Sequence, residues 1–195
     1  MLRLILTILF VVGSGAGCVT SVESEVKVNE SIDDDEEYSS AYENYTKNIK
    51  IIDEWATKYE LTITFLGDGF LGAFSNRYQR LYQVQEPLLA EATDKTGFFV
   101  SVFSPESKGY DLVDQQLWKI FLDDRDGRKI KPSLVKELGE KKRWEPFFRG
   151  VNHWSKEYLI VFDTNLVDPA TDGLVQKKAI NLVFSNADAH VNVQW

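Results

Sequence analysis

The sequence has very few residues of the types that build metal sites and disulfide frameworks. Its 195 residues include one cysteine, two histidines and one methionine. A single cysteine excludes internal disulfides and a zinc site made of several cysteines. The formal net charge of −8 argues against a dedicated nucleic-acid-binding protein, since such proteins are normally basic. We therefore predict no metal, no cofactor and no nucleic-acid partner.

The apolar run near the N-terminus is too short to span a membrane. Residues 4–12 are apolar except for Thr7, whereas a spanning helix needs about 20 such residues. The run follows Arg3 and ends in small residues, as in a secretory signal peptide of residues 1–17. A signal peptide cut near Gly17, with an incidental Cys18, is one interpretation.

The second interpretation of this segment is a bacterial lipoprotein signal. Ala16-Gly17-Cys18 resembles the end of a lipobox, although Gly15 stands where leucine is usual. The resemblance implies that Cys18 carries lipid chains such as palmitate and becomes the mature N-terminus. Two or more acyl chains make membrane attachment stable. Because Val19 stands where an inner-membrane retention signal has aspartate, the resemblance favours the outer membrane of a bacterial envelope.

An acidic segment separates this signal from the rest of the chain. Residues 19–37 hold eight acidic side chains and one basic side chain, Lys27, with no aromatic residue. Such a composition is typical of a disordered, solvated segment. We predict a lipidated cysteine with a disordered tether over residues 18–40, followed by one domain over residues 41–195. An acidic recognition or cation-binding tail is the alternative function for the tether.

The first half of this domain shows both helical and strand periodicity. Apolar residues alternate along residues 46–53 and 57–66, which predicts two strands, with helix as an alternative over residues 42–55. Phe70, Phe74 and Tyr78 then recur at helical spacing. We predict an amphipathic helix over residues 69–84, with Asp68 as its N-cap.

The second half has the short, regularly interrupted apolar runs of antiparallel strands. We predict strands at 98–103, 117–122, 128–130, 157–163, 178–184 and 189–195, with a hairpin turn at Asp126-Gly127. In the last strand Ala189, Val191, Val193 and Trp195 would share one face. No repeated β-α-β pattern develops, so the fold class is mainly β. We expect an antiparallel β-sandwich of immunoglobulin-like architecture with the one helix inserted.

Two motifs suggest catalysis or nucleotide binding. Gly67 to Gly72 match G-x-G-x-x-G between a strand and a helix, but the rest of a dinucleotide-binding unit is missing. Ser155, Asp163 and the two histidines, His153 and His190, are the candidates for a hydrolytic site, without a recognisable spacing. We therefore predict no catalytic residue and no enzyme, and keep a hydrolase using carboxylates as the alternative.

Aromatic and basic residues alternate over residues 136–154. Trp144, Phe147, Phe148 and Trp154 are candidate partner-binding residues, because Trp and Arg are enriched in binding hot spots. Neighbouring side chains of an extended segment face opposite ways. At least one of Phe147 and Phe148 would then need cover, and we expect the predicted helix to provide it.

Three stretches of the chain resemble a family of small, uncharacterised bacterial lipoproteins. The matching residues are Phe70, Phe74, Arg77, Tyr78, Leu81, Tyr82, Trp118, Leu122, Gly127, Pro132, Phe147, Phe148, Trp154, Ser155, Tyr158 and Phe162. The family usually has proline after the paired phenylalanines, where this chain has Arg149. The resemblance implies a lipidated cysteine, a polar stretch and a sandwich-like domain, and it implies no activity. We expect a membrane-anchored envelope lipoprotein that either binds another envelope protein or has a structural role.

Overall fold

A computed structural model describes residues 31–84, 89–92, 94–106, 111–123, 128–164 and 180–195. The predicted signal peptide, Cys18 and the predicted turn at Asp126-Gly127 lie outside the described residues. The α-helices are α1 (Glu36–Tyr45), α2 (Asp68–Tyr82) and α3 (Lys141–Trp144). The strands are β1 (Thr46–Asp53), β2 (Ala56–Phe65), β3 (Thr96–Phe103), β4 (Lys119–Asp123), β5 (Lys129–Ile130), β6 (Leu134–Leu138), β7 (Lys156–Phe162), β8 (Asn181–Ser185) and β9 (His190–Gln194). Short 3-10 helices cover Ile32–Asp34 and Leu89–Ala92.

The described chain is mainly β, with two antiparallel sheets. Sheet A has the strand order β1-β2-β3-β7-β6, and sheet B has the order β5-β4-β8-β9. Every described strand pair is antiparallel. The chain passes from sheet A to sheet B after β3, returns at β6, and passes to sheet B again after β7.

Several predicted elements are confirmed with small shifts at their ends. The strands predicted at 46–53 and 57–66 are β1 and β2, and the predicted helix is α2. The ambiguity over residues 42–55 has a simple origin, since α1 ends at Tyr45 and β1 begins at Thr46. The predicted N-cap is wrong. Gly67 is the N-cap of α2, no side chain caps the helix, and Asp68 is its first residue.

The strands predicted in the second half are also present. The last one is β9, in which buried Val191 and Val193 alternate with exposed His190, Asn192 and Gln194. β4 and β5 pair as the two arms of the predicted hairpin. Sequence periodicity missed the edge strand β6, the short helix α3 and the part of α1 before residue 42.

Sheet A is buried on both faces at its centre. Every residue of β3 from Thr96 to Val102 is buried. On one face the Phe98 ring lies 5.3 Å from the Trp195 ring, which follows β9 of sheet B. On the other face the Phe99 ring stacks on Phe148 at 3.6 Å between centroids. These contacts place sheet B on one side of β3 and the segment after α3 on the other.

The acidic segment before this domain is not a disordered tether throughout. Ser31 caps a 3-10 turn, and α1 begins at Glu36 with Asp35 as its N-cap. Tyr38 is buried, and its hydroxyl donates to the Phe147 carbonyl at 2.8 Å. The prediction of disorder is therefore wrong for residues 31–40, because partners far along the chain order them.

Candidate functional site

The four aromatic residues singled out from the sequence have different environments. Trp144, Phe147 and Phe148 are buried, whereas Trp154 is 70% exposed. The ring of Phe147 lies 4.9 Å from Phe74, and Phe148 lies 6.0 Å from the same ring. The expected cover by α2 is thus confirmed. The alternative of an exposed binding surface is wrong for all but Trp154.

Both phenylalanines are buried because the segment that carries them is a turn. The backbone N–H groups of Phe147 and Phe148 both donate to the Trp144 carbonyl, at 2.9 and 3.0 Å. This geometry removes the alternation that an extended chain would impose. Phe147 packs beside Tyr78 of α2, while Phe148 reaches Phe99 of sheet A. We call Phe74, Tyr78, Phe99, Phe147 and Phe148 the aromatic cluster.

A buried ion pair fastens the N-terminal segment to α2. Arg77 is fully buried, and its Nη1 lies 3.1 Å from the carboxylate of Asp35, which also accepts from Arg80. Burial alone would raise the pKa of Asp35. The Tyr38 backbone N–H and the two guanidinium groups outweigh burial, so the pKa of Asp35 lies below its usual value. The arrangement keeps the carboxylate charged and paired inside the protein.

Arg149 performs a similar structural task at the surface. Its guanidinium pairs with Asp33, which precedes α1, and lies 3.6 Å from Glu43 within α1. Its Cζ also lies 5.4 Å from the centroid of the Tyr42 ring, within the range of a cation–π contact. Arg149 therefore supplies contacts to the acidic segment.

Trp154 projects from a tightly bonded loop. The side-chain oxygen of Asn152 accepts from the backbone N–H groups of Trp154 and Ser155, at 2.9 and 3.1 Å. The ammonium group of Lys141 donates to the His153 carbonyl at 2.9 Å. The loop is fixed while its indole ring stays exposed. Trp154 remains a candidate partner-binding residue.

Beneath this loop lies a second buried carboxyl group, on Glu157. Its Oε1 lies 2.5 Å from the hydroxyl of Ser155, and its Oε2 has no hydrogen-bond partner in the described part of the chain. Burial raises the pKa of Glu157, against the lowering effects of Ser155 and Lys141. The Ser155 hydroxyl also lies 2.9 Å from the Asn152 carbonyl, so its single proton has two acceptors in reach. If the Ser155 hydroxyl donates to the Asn152 carbonyl, a protonated Glu157 carboxyl group can donate to the Ser155 oxygen.

The structure does not bring the hydrolytic candidates together. Among the described residues, the side-chain partners of Ser155 are Asn152 and Glu157, and neither histidine is one of them. Asp163 pairs with Lys95 at 2.6 Å, and His190 projects from the exposed face of β9. Within the same described ranges, no group of three potential metal ligands is present.

The glycine motif at residues 67–72 serves helix packing. A side chain at Gly69 would place its Cβ 2.5 Å from the hydroxyl oxygen of Tyr45. Glycine therefore allows Tyr45, at the end of α1, to lie against the first turn of α2.

A cavity of about 320 Å³ opens where the chain passes from sheet B back to sheet A. Pocket volumes of this size lie at the lower end of the range for small ligands. Its apolar walls come from the segment before β4, from β4 itself, and from the connection into β6. These walls are formed by Leu112, Trp118, Ile120, Phe121, Pro132 and Val135. We call this space the β4 cavity.

The polar lining of the β4 cavity is almost entirely cationic. Lys119, Lys129 and Lys131 line it together with Gln115. The Lys119 ammonium donates to the Gln115 carbonyl at 2.6 Å, and the Lys129 ammonium lies 4.5 Å above the centre of the Phe121 ring. In the ranges that the structure describes, none of the three lysines forms an ion pair. The cavity thus combines an apolar wall with uncompensated positive charge.

Sequence reasoning missed this cavity because no motif marks it. Its residues come from three separate stretches, at 112–121, 129–132 and 135. The alternation of Lys129 and Lys131 around Ile130 was a visible signal, but it is equally typical of an exposed strand edge. Only the return of the chain from β5 to β6 brings these lysines beside Trp118.

Comparisons with known proteins do not assign the chain to a family. No protein-family model, no curated protein and no solved structure matches it. In the described part of the chain, no helix combines the length and the apolar composition needed to cross a membrane.

Proposed function

We propose that this protein is a lipid-anchored envelope lipoprotein whose domain binds an apolar ligand without catalysis. The β4 cavity is the observation that carries the binding role. It is concave, mostly apolar and edged by a few polar groups, which are the usual features of a small-molecule site. The hydrolytic candidates are dispersed or buried, which favours binding over hydrolysis.

We also infer a β-sandwich for the domain, with α2 outside it. Contacts between Tyr59 and Trp118, at 5.3 Å, and between Phe98 and Trp195 join the two sheets along one face of sheet A. The aromatic cluster covers the other face. In this arrangement the β4 cavity lies at an open corner between the sheets.

Membrane attachment through Cys18 rests on the lipobox resemblance, and the outer membrane is the proposed location. The test is metabolic labelling with an alkyne analogue of palmitate. Cys18→Ala should abolish labelling and the mature, membrane-anchored form of the protein, whereas Ser21→Ala should behave as the parent chain. Unchanged labelling of the Cys18→Ala chain would overturn the anchor.

The binding role is tested by identifying compounds that copurify with the full-length protein from its own membranes. Val135 lines the cavity, so Val135→Trp should fill it. Val84→Trp introduces the same ring at an exposed position after α2 and is the matched control. We expect mass spectrometry to find a bound compound with the parent and control chains and to lose it with Val135→Trp. Equal amounts with all three chains would contradict binding at this cavity.

A further inference from the structure

The three lysines at the β4 cavity indicate which chemical class of ligand the cavity binds. We propose that the cavity binds a fatty acid, with the acyl chain against the apolar wall and the carboxylate among Lys119, Lys129 and Lys131. This inference rests on the proposed binding function and adds the class of ligand.

Charge complementarity is the first argument. A neutral ligand would leave three ammonium groups around an apolar site with no counter-charge from the residues that the structure describes. An anionic headgroup would form charge-assisted hydrogen bonds with them, which are stronger than bonds between neutral groups. Asp123 lies opposite Lys129 in the β4–β5 ladder. Within the described ranges, neither Asp123 nor any other carboxylate forms an ion pair with the three lysines, so a bound carboxylate would be their first anionic partner there.

The position of the cations relative to the wall is the second argument. Lys129 lies over the Phe121 ring, and Lys131 directly precedes Pro132, so both cations adjoin apolar lining residues. Positive charge therefore lies at the margin of the apolar surface. This arrangement is complementary to an amphiphile that has an apolar chain and an anionic headgroup. The small volume suits one acyl chain better than a lipid with several chains.

The experiment is photolabelling of the full-length protein in its membranes. The probe is a twelve-carbon fatty acid that carries a diazirine, and its matched control is the fatty alcohol of the same length with the same diazirine. Peptide mass spectrometry then locates the labelled residues. We expect the acid to label residues 112–135 about fivefold to tenfold more than the alcohol does.

Two double variants separate the lysines of the cavity from general surface charge. Lys129→Gln with Lys131→Gln should lower acid labelling about fivefold to tenfold, to the level of the alcohol. Lys47→Gln with Lys142→Gln removes the same charge from exposed positions outside the cavity and should change labelling less than twofold. All of these positions are exposed, so folding should be unaffected, and circular dichroism checks this.

The outcomes distinguish this inference from the proposed function. If acid and alcohol label the cavity equally in every chain, the fatty-acid assignment fails while binding of an apolar ligand stands. If neither probe labels residues 112–135, both proposals fail. Selective acid labelling that depends on Lys129 and Lys131 supports both.

Discussion

Aromatic and basic side chains lie side by side both at the aromatic cluster and at the β4 cavity. The two regions differ in how far these side chains are buried and paired. In the cluster, the rings cover one another, and the nearby Arg77 is buried against the Asp35 carboxylate. At the cavity, Phe121 is half-buried, and the Lys129 ammonium lies over that ring without an ion pair in the described part of the chain. In the first region the rings and the charges are buried against one another, so they contribute to stability. In the second region apolar surface and positive charge stay accessible, as a binding site requires.

The largest expected effect is loss of packing in the aromatic cluster. Phe74→Ala should lower the free energy of unfolding by about 3–5 kcal/mol, because a buried ring is replaced by a cavity. Phe121→Ala, the same change in the wall of the β4 cavity, should cost about 1 kcal/mol, since this ring is only half-buried and forms a cation–π pair with Lys129. Urea denaturation measures both. Similar losses would show that the two regions do not differ in this way.

The buried ion pair provides the second comparison. Arg77→Met should cost about 3–5 kcal/mol, because it leaves the buried carboxylate of Asp35 without its main buried cation. Arg80→Met removes the other partner of the same carboxylate, and Arg80 is half-exposed, so its loss should cost less than about 1 kcal/mol. If Arg77→Met and Arg80→Met have the same small effect, residues 31–40 are not held by this pair.

Glu157 should show the opposite pH dependence from Asp35. The folded-state pKa of Glu157 is raised, so its contribution is fully present below the unfolded pKa and is lost as the pH rises through the folded pKa. Glu157→Gln should therefore flatten the fall in stability above about pH 4.3, the usual glutamate pKa. For Asp35, whose pKa is lowered, stability is lost as the pH falls through the folded value.

The control for this prediction is Glu60→Gln. Glu60 is exposed and lies 2.7 Å from Lys50, away from the charges that shift the pKa of Glu157. Its replacement should leave the pH profile of unfolding close to that of the parent. An unchanged profile for Glu157→Gln as well would mean that folding does not raise the pKa of Glu157.

The smallest expected effect on stability is at the lysines of the cavity. Replacing Lys129 and Lys131 by glutamine should change the free energy of unfolding by less than about 0.5 kcal/mol, because both side chains are exposed. Thermal denaturation compares this chain with the Lys47→Gln, Lys142→Gln control. A fall of several kcal/mol in the free energy of unfolding would show that the two lysines stabilise the fold, which would contradict their role in binding a ligand.

The parts of the fold with strong local periodicity could be predicted from the sequence. β2, α2, β3 and β9 each carry their pattern within a few residues, and each is present where it was expected. α1 could not be predicted in this way, because its order depends on Arg77, more than 30 residues along the chain. Its acidic composition alone indicates disorder.

The β4 cavity could not be predicted from the sequence, because its walls also depend on an element with weak periodicity. β6 is a short edge strand whose residues Leu134–Leu138 include two charged side chains, so it has weak alternation. Without β6, nothing indicates that Val135 lies near Trp118 or that Lys131 adjoins an apolar wall. The burial of Phe147 and Phe148 was expected, but the turn that allows both rings to point inward was not.

The difference between the two regions is tested most directly by labelling with a neutral apolar probe. Full-length protein in its membranes is exposed to a diazirine-bearing dodecane, and labelled peptides are quantified. We expect labelling of residues 112–135 that Val135→Trp abolishes and Val84→Trp preserves, with little labelling of residues 70–82 and 144–151. Equal labelling of both regions, or labelling of the cavity peptides that Val135→Trp leaves unchanged, would contradict this expectation.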